Sequence, residues 1–170
     1  AGGGTVATTA LYYGYHDVIE KTINLTFLHA ADAILKSEFH GSIHAMTDVT
    51  NGGLRGDVHE MAKTAGLRFI VAEEKVRGLI DPDVYRMLYK LEIDPLGVSV
   101  DALLVIAEPE TIYGVQALLS KMGVESSIIG RGEEGKAEPV LVRNGREEEF
   151  SPRFREAAYT PLKKLVEKEQ

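Results

Sequence analysis

Cysteine is absent from all 170 residues. The chain can therefore form no disulfide and offers no thiolate as nucleophile or metal ligand. Basic charge is also scarce: 19 Lys and Arg against 26 Asp and Glu leave a net charge of −7. That balance argues against a protein that grips nucleic acid over a broad basic face. No apolar run reaches the roughly 20 residues of a membrane span, and no leader with a charged start and an apolar centre is visible. These absences lead us to expect a soluble, cytoplasmic protein without nucleic-acid or membrane partners. The Gly-Lys-Ser tripeptide of a P-loop is missing as well, which counts against a kinase of that type. There is no initial methionine; Ala1-Gly2-Gly3-Gly4 reads as a flexible lead-in of the kind found between domains.

What is present is organised around Ser42 to Gly66. Ser42-Ile43-His44-Ala45-Met46 reads as a short buried strand. Asp48, Thr50 and Asn51 then stand beside Gly52 and Gly53, a cluster of turn and helix-start residues. From Leu54 the spacing changes to helical intervals (Leu54, Val58, Met61, Ala62, Ala65) and Gly66 ends the run. Strand, glycine turn and helix N-terminus together suit an anion. Backbone N–H groups and the helix dipole favour negative charge there, and glycines let a phosphate approach the main chain. Asp48 at the strand end has two readings: a ligand for a divalent cation shared with the phosphates, or an ordinary helix cap.

Elsewhere, Thr5 to Tyr13 is β-branched and aromatic and predicts a strand or extended arm. Asp17 is placed to cap a helical stretch from Asp17 to Phe39, broken near Asn24. Leu67 to Val71 predicts a strand, and Asp81-Pro82-Asp83 a helix start. Val98 to Ala107 reads as a buried strand. Glu108-Pro109 opens a helix that Gly123 closes, and Val124 to Gly130 reads as a further strand. Asn144-Gly145 predicts a type I′ hairpin between Pro139 to Arg143 and Arg146 to Phe150, and Leu162, Leu165 and Val166 suggest a short terminal helix. Helices alternating with strands before a closing hairpin predict an α/β (α+β) domain with a mixed sheet. We divide the chain into a linker and N-terminal extended arm (1–16), a domain (17–150) and a C-terminal tail (151–170).

Thr47-Asp48-Val49-Thr50-Asn51-Gly52-Gly53-Leu54 resembles the C-terminal domain motif of the PurM-like superfamily, the AIR synthase-related proteins. The similarity extends to Asp57-Val58-His59-Glu60-Met61-Ala62, Asp94-Pro95-Leu96, Asp101 to Ala107 and Ile128-Ile129-Gly130-Arg131, which resemble the hydrogenase-maturation (HypE) branch. Phe154 to Pro161 is similar to the ending of archaeal AIR synthase-related proteins. Selenophosphate synthetases share the superfamily. The resemblance implies a three-layer α/β/α domain with partly ferredoxin-like topology and ATP held between it and a separate N-terminal domain. It further implies Mg2+ bound chiefly by carboxylates of that other domain, transfer of phosphate to a poorly reactive atom, and a full-length homodimer.

Carried onto this sequence, the resemblance makes Asp48 a magnesium ligand and Thr50, Asn51, Gly52 and Gly53 the phosphate side of an ATP site. Asp57, His59, Glu60 and Asp101 become candidates to face a small-molecule substrate. No catalytic residue is assigned. Asn51 and Ala102 depart from the pattern of the family branches, so the substrate cannot be carried over. The chain also ends Glu167-Lys168-Glu169-Gln170 without the terminal cysteine of the hydrogenase-maturation proteins, so their thiocarboxamide chemistry is not expected. Two function classes follow: the C-terminal domain of an ATP-dependent phosphoryl-transferring enzyme, inactive alone, or a regulatory or assembly module that keeps the fold and an anion pocket.

Overall fold

The structure, a computed structural model, describes residues 3–49 and 52–152. Its first element corrects the sequence reading: Thr5 to Tyr13 is not an extended arm but lies largely in helix α1, Gly3–Tyr12. The physical reason lies in its threonines and alanines. Thr8 and Thr9 turn their hydroxyls back onto the carbonyls of Gly4 and Thr5, both at 2.8 Å, which satisfies these β-branched side chains inside a helix. Val6 and Ala10 then meet Val18, Val84, Met87, Leu88 and Val98 in a buried cluster. Packing on a helical face outweighs the β propensity of the segment.

A 3-10 helix, His16–Thr22, and α2, Thr26–Lys36, follow, with the break at Ile23 to Leu25. Asp17 sits within the first turn of the 3-10 helix and caps nothing; the position before that helix is Tyr15, without a side-chain cap bond. Strand β1, Ile43–Asp48, pairs antiparallel with β3, Leu103–Ala107. Between them in sequence come α3 (Gly53–Ala65), β2 (Arg68–Ala72), a short α4 (Glu73–Arg77) that the sequence reading lacked, and α5 (Pro82–Lys90). Helix α6, Pro109–Lys121, ends before Gly123, whose φ is +72°.

Asp81 caps α5 as its residue type demands, accepting from the amides of Asp83 and Val84 at 2.8 and 3.3 Å. Asp81→Ala is expected to lower stability by about 1 kcal/mol, measured as a shift of the urea midpoint at unchanged slope.

The second sheet has the order β4-β2-β5-β6, with β4 at Gly130–Glu133, β5 at Pro139–Arg143 and β6 at Arg146–Glu149. β2 runs parallel to β5 and antiparallel to β4, so the sheet is mixed. The expected strand at Val124 to Gly130 is displaced: residues 124–129 are not in a strand, and pairing begins only at Gly130. Gly130 and Gly132 lie so close over β2 that a Cβ would fall 2.0 Å from the Ile70 carbonyl oxygen and 2.6 Å from the Phe69 ring. Close backbone approach, rather than β propensity, selects this strand.

The hairpin at Asn144-Gly145 has positive φ at both central residues, +51° and +73°, with Arg143 opposite Arg146, as a type I′ turn requires. The expected terminal helix at Leu162 to Val166 lies outside the described residues.

Helix α3 packs on β2 and β5. Its Leu54, Val58 and Ala62 join Val49, Phe69, Val71, Leu96, Leu104, Leu141 and Phe150 in the largest core cluster. A third cluster sits between α2 and α6 over β3. The expected mixed α/β class therefore holds. Among the described residues no helix is long and apolar enough to cross a membrane.

Candidate functional site

Strand β1 delivers Asp48 as its last residue, partly buried and opposite Leu103. Thr50 and Asn51, two of the expected phosphate-side residues, lie outside the described residues. The chain re-enters at Gly52, the N-cap of α3, with φ +92°, and continues through Gly53 with φ +63°. Both glycines thus occupy the left-handed region, where a side chain is strained. The strand–glycine turn–helix order expected for the segment is present.

The amides of this helix start are not all open. Of the four N–H groups that a helix leaves without intrahelical partners, that of Arg55 donates to the Leu96 carbonyl at 3.1 Å. The first bond of the helix runs from Gly56 N–H back to the Gly52 carbonyl, 3.3 Å. Gly53 and Leu54 are themselves buried, while Gly52 is partly exposed.

What covers the turn is the segment 94–102, whose second half belongs to the run from Val98 to Ala107 that reads as one continuous strand. Only Leu103–Ala107 forms the strand; the residues before it bind the turn instead. Val49 donates to the Ala102 carbonyl and accepts from Val100, at 3.0 and 3.2 Å. A Cβ on Gly53 would lie 2.6 Å from the Leu96 oxygen and 2.6 and 2.7 Å from the Val98 nitrogen and oxygen. Asp94 folds the segment by accepting from the Leu96 amide at 3.1 Å. With its other oxygen it holds Arg55 Nε at 2.7 Å. Both side chains of this pair are nearly buried, 12 % and 11 % exposed, and the Arg55 guanidinium rests 4.8 Å from the ring centre of Phe150.

Sequence reasoning missed Arg55 and Asp94 as a pair. The signal was there: a cation in the first turn of a helix opposes the dipole and calls for a carboxylate partner.

The four expected substrate-facing residues are dispersed. Asp57 is buried and partnered. His59, one turn beyond Arg55, is partly buried, and its Nδ1 is enclosed without a hydrogen-bond partner among the described residues. Glu60 is exposed on the same helix. Asp101, in the covering segment, accepts from the Asn24 amide at 3.1 Å, while its carbonyl accepts from the Asn24 side chain at 3.0 Å. His44 on β1 pairs with Glu108 at 2.9 Å, near the start of α6. Among the described residues no three His, Asp or Glu side chains converge to hold a metal. Asp48 thus belongs to no such group among the described residues, and a carboxylate outside one suffices for Mg2+ only where phosphates and waters complete the shell.

The family model of the AIR synthase related protein, C-terminal domain, matches residues 15–143. Uncharacterized protein MJ1416 of Methanocaldococcus jannaschii is 47% identical over 166 residues, which is 98% of this chain and 35% of that protein. The fold is similar to that of the E. coli hydrogenase maturation protein HypE, with a TM-score of 0.66 at 23% identity over 76% of this chain and 40% of that one. It is also similar to a HypE solved in complex with ATP, with a TM-score of 0.65 at 23% identity over 74% of this chain and 40% of that one. The chain spans about a third of the length of the curated relative it matches.

Proposed function

This chain belongs to the AIR synthase related family as its C-terminal domain, and from that premise we propose that it forms one wall of a Mg-ATP site in a longer protein. The other wall is an N-terminal domain outside this sequence. The full-length protein, a homodimer, uses ATP to phosphorylate and so activate a small-molecule or maturation substrate. The observation that carries this reading is the left-handed Gly52-Gly53 turn at the N-terminus of α3, a few residues after Asp48. Its support from outside is the like fold of a HypE that binds ATP.

In this reading the amides of the Thr50 to Gly53 turn meet the phosphates, with helix dipole and N–H groups acting together. Asp48 is the residue that would help to hold Mg2+, and the metal would supply neutralisation of charge on the transferring group. His59 and Glu60 are the substrate-facing candidates we favour, because the enclosed Nδ1 of His59 lacks a partner among the described residues and Glu60 is exposed. Asp57, buried and partnered, and Asp101, bonded to Asn24, stay in the set as the less favoured candidates. The domain of residues 17–150 and the tail from residue 151 belong to the same proposal, with α1 packed against that domain through Val6 and Ala10.

The test is calorimetry of Mg-ATP on the longest natural form of the protein and on its Asp48→Ala variant. We expect tight binding that the substitution weakens at least tenfold, about 1.4 kcal/mol. No binding by the full-length form would overturn the enzyme reading. It would leave the second one, a regulatory or assembly module that keeps the fold and an anion pocket.

A further inference from the structure

We propose that Arg55 and Asp94 are positioning residues for the anion turn, an inference that rests on the ATP reading above. Their ion pair clamps the segment 94–98 against Gly53 and so fixes the directions in which the first amides of α3 point.

Three observations converge on this. A cation at the third residue of a helix opposes the dipole, and burying it demands a partner; Asp94 supplies that partner with both side chains almost wholly enclosed. The same carboxylate also binds the Leu96 amide at 3.1 Å, so one side chain both shapes the covering segment and ties it to the helix. Finally, the contact that the clamp maintains leaves no slack. The Leu96 carbonyl takes the Arg55 amide, and the Leu96 and Val98 backbone lies where a methyl on Gly53 would go. Phe150, fully buried, supports the guanidinium from one face and restricts it to the orientation in which Nε meets Asp94.

A helix start can bind an anion well only if its N–H groups are preorganised, since any reorientation on binding subtracts from affinity. Asp94 and Arg55 supply that preorganisation without contact to the nucleotide. This separates them from Asp48, whose role is direct.

Two conservative variants test the idea in the full-length protein: Asp94→Asn, which keeps an acceptor for the Leu96 amide but removes the charge, and Arg55→Lys, which keeps the charge but cannot present Nε. Hydrogen exchange of α3 is read residue by residue in the absence of nucleotide. The amides of Gly53, Leu54 and Arg55 should exchange at least tenfold faster in either variant, with those of Val58 to Ala62 unchanged. Mg-ATP affinity by calorimetry should fall at least tenfold in both, at temperatures well below their thermal midpoints. First-turn exchange equal to wild type, or exchange that rises equally along the whole helix, overturns the proposal. So does affinity within twofold of wild type in both variants. Failure of the wild-type protein to bind Mg-ATP would sink the nucleotide reading alone, because the exchange data still decide whether the pair positions the turn.

Discussion

Replacing Gly53 by alanine is expected to lower stability by about 2–5 kcal/mol and to weaken Mg-ATP binding by the full-length protein more than tenfold. Two effects add. An alanine at a φ of +63° is strained in itself, worth about 1–2 kcal/mol. The new methyl would also meet three backbone atoms of Leu96 and Val98 within 2.7 Å, and backbone cannot rotate aside as a side-chain end can. The neighbouring Gly52→Ala separates these terms. Its φ of +92° carries strain, but its nearest contact would be the Gly56 Cα at an ordinary 3.5 Å. Gly52→Ala should therefore lose only about 1 kcal/mol. Denaturant midpoints for the pair give the comparison, and equal losses would show that the close approach of 94–98 contributes nothing.

Phe150→Ala should cost about 3–5 kcal/mol, seen as a fall of the thermal midpoint on the order of 10 °C. Phe150 is fully buried, and its ring closes the cluster of Leu54, Val58, Leu96, Leu104 and Leu141. It lies one residue past β6, at the point where the sheet meets the start of α3. Truncation would open a cavity and also remove the surface on which Arg55 lies. Phe150→Leu should recover most of the stability by filling the space while failing to restore the ring beneath the guanidinium. If Phe150→Leu recovers no stability, the loss does not come from volume.

Features written into consecutive residues were readable from sequence: the Gly66 stop of α3, the Asp81-Pro82 start of α5, the Glu108-Pro109 start of α6 and the Asn144-Gly145 hairpin. Each is a backbone requirement met by a local residue type. Segments were misread where tertiary packing decides. Thr5 to Tyr13 has strand composition, yet its threonines back-bond within a helix whose face the core accepts. Val98 to Asp101 has the apolar character of a strand because it is buried, but its partners are a turn and Val49 rather than a ladder. Residues 124–129 carry better strand formers than Gly130 to Glu133, and the glycines win because β2 lies too close for side chains. The candidate site shows the same division. Asp48, Gly52 and Gly53 stand out in the sequence, whereas the pairing of Arg55 with Asp94 requires a fold to bring them together.

That pairing spans 39 residues, and it has a consequence for how the site comes into being. A peptide of residues 42–66 would contain every glycine and carboxylate of the motif yet lack the clamp and the covering segment. Its left-handed turn would be one conformation among many, because nothing would offset the entropy of fixing it. During folding the turn should likewise gain its shape only after β1, which pairs with β3 in the native sheet, has closed the long loop between them. On the proposed reading, the capacity to hold an anion should thus be acquired late and all at once. Recovery of nucleotide binding during refolding should therefore lag behind the far-ultraviolet signal of the helices and coincide with the burial of Phe150.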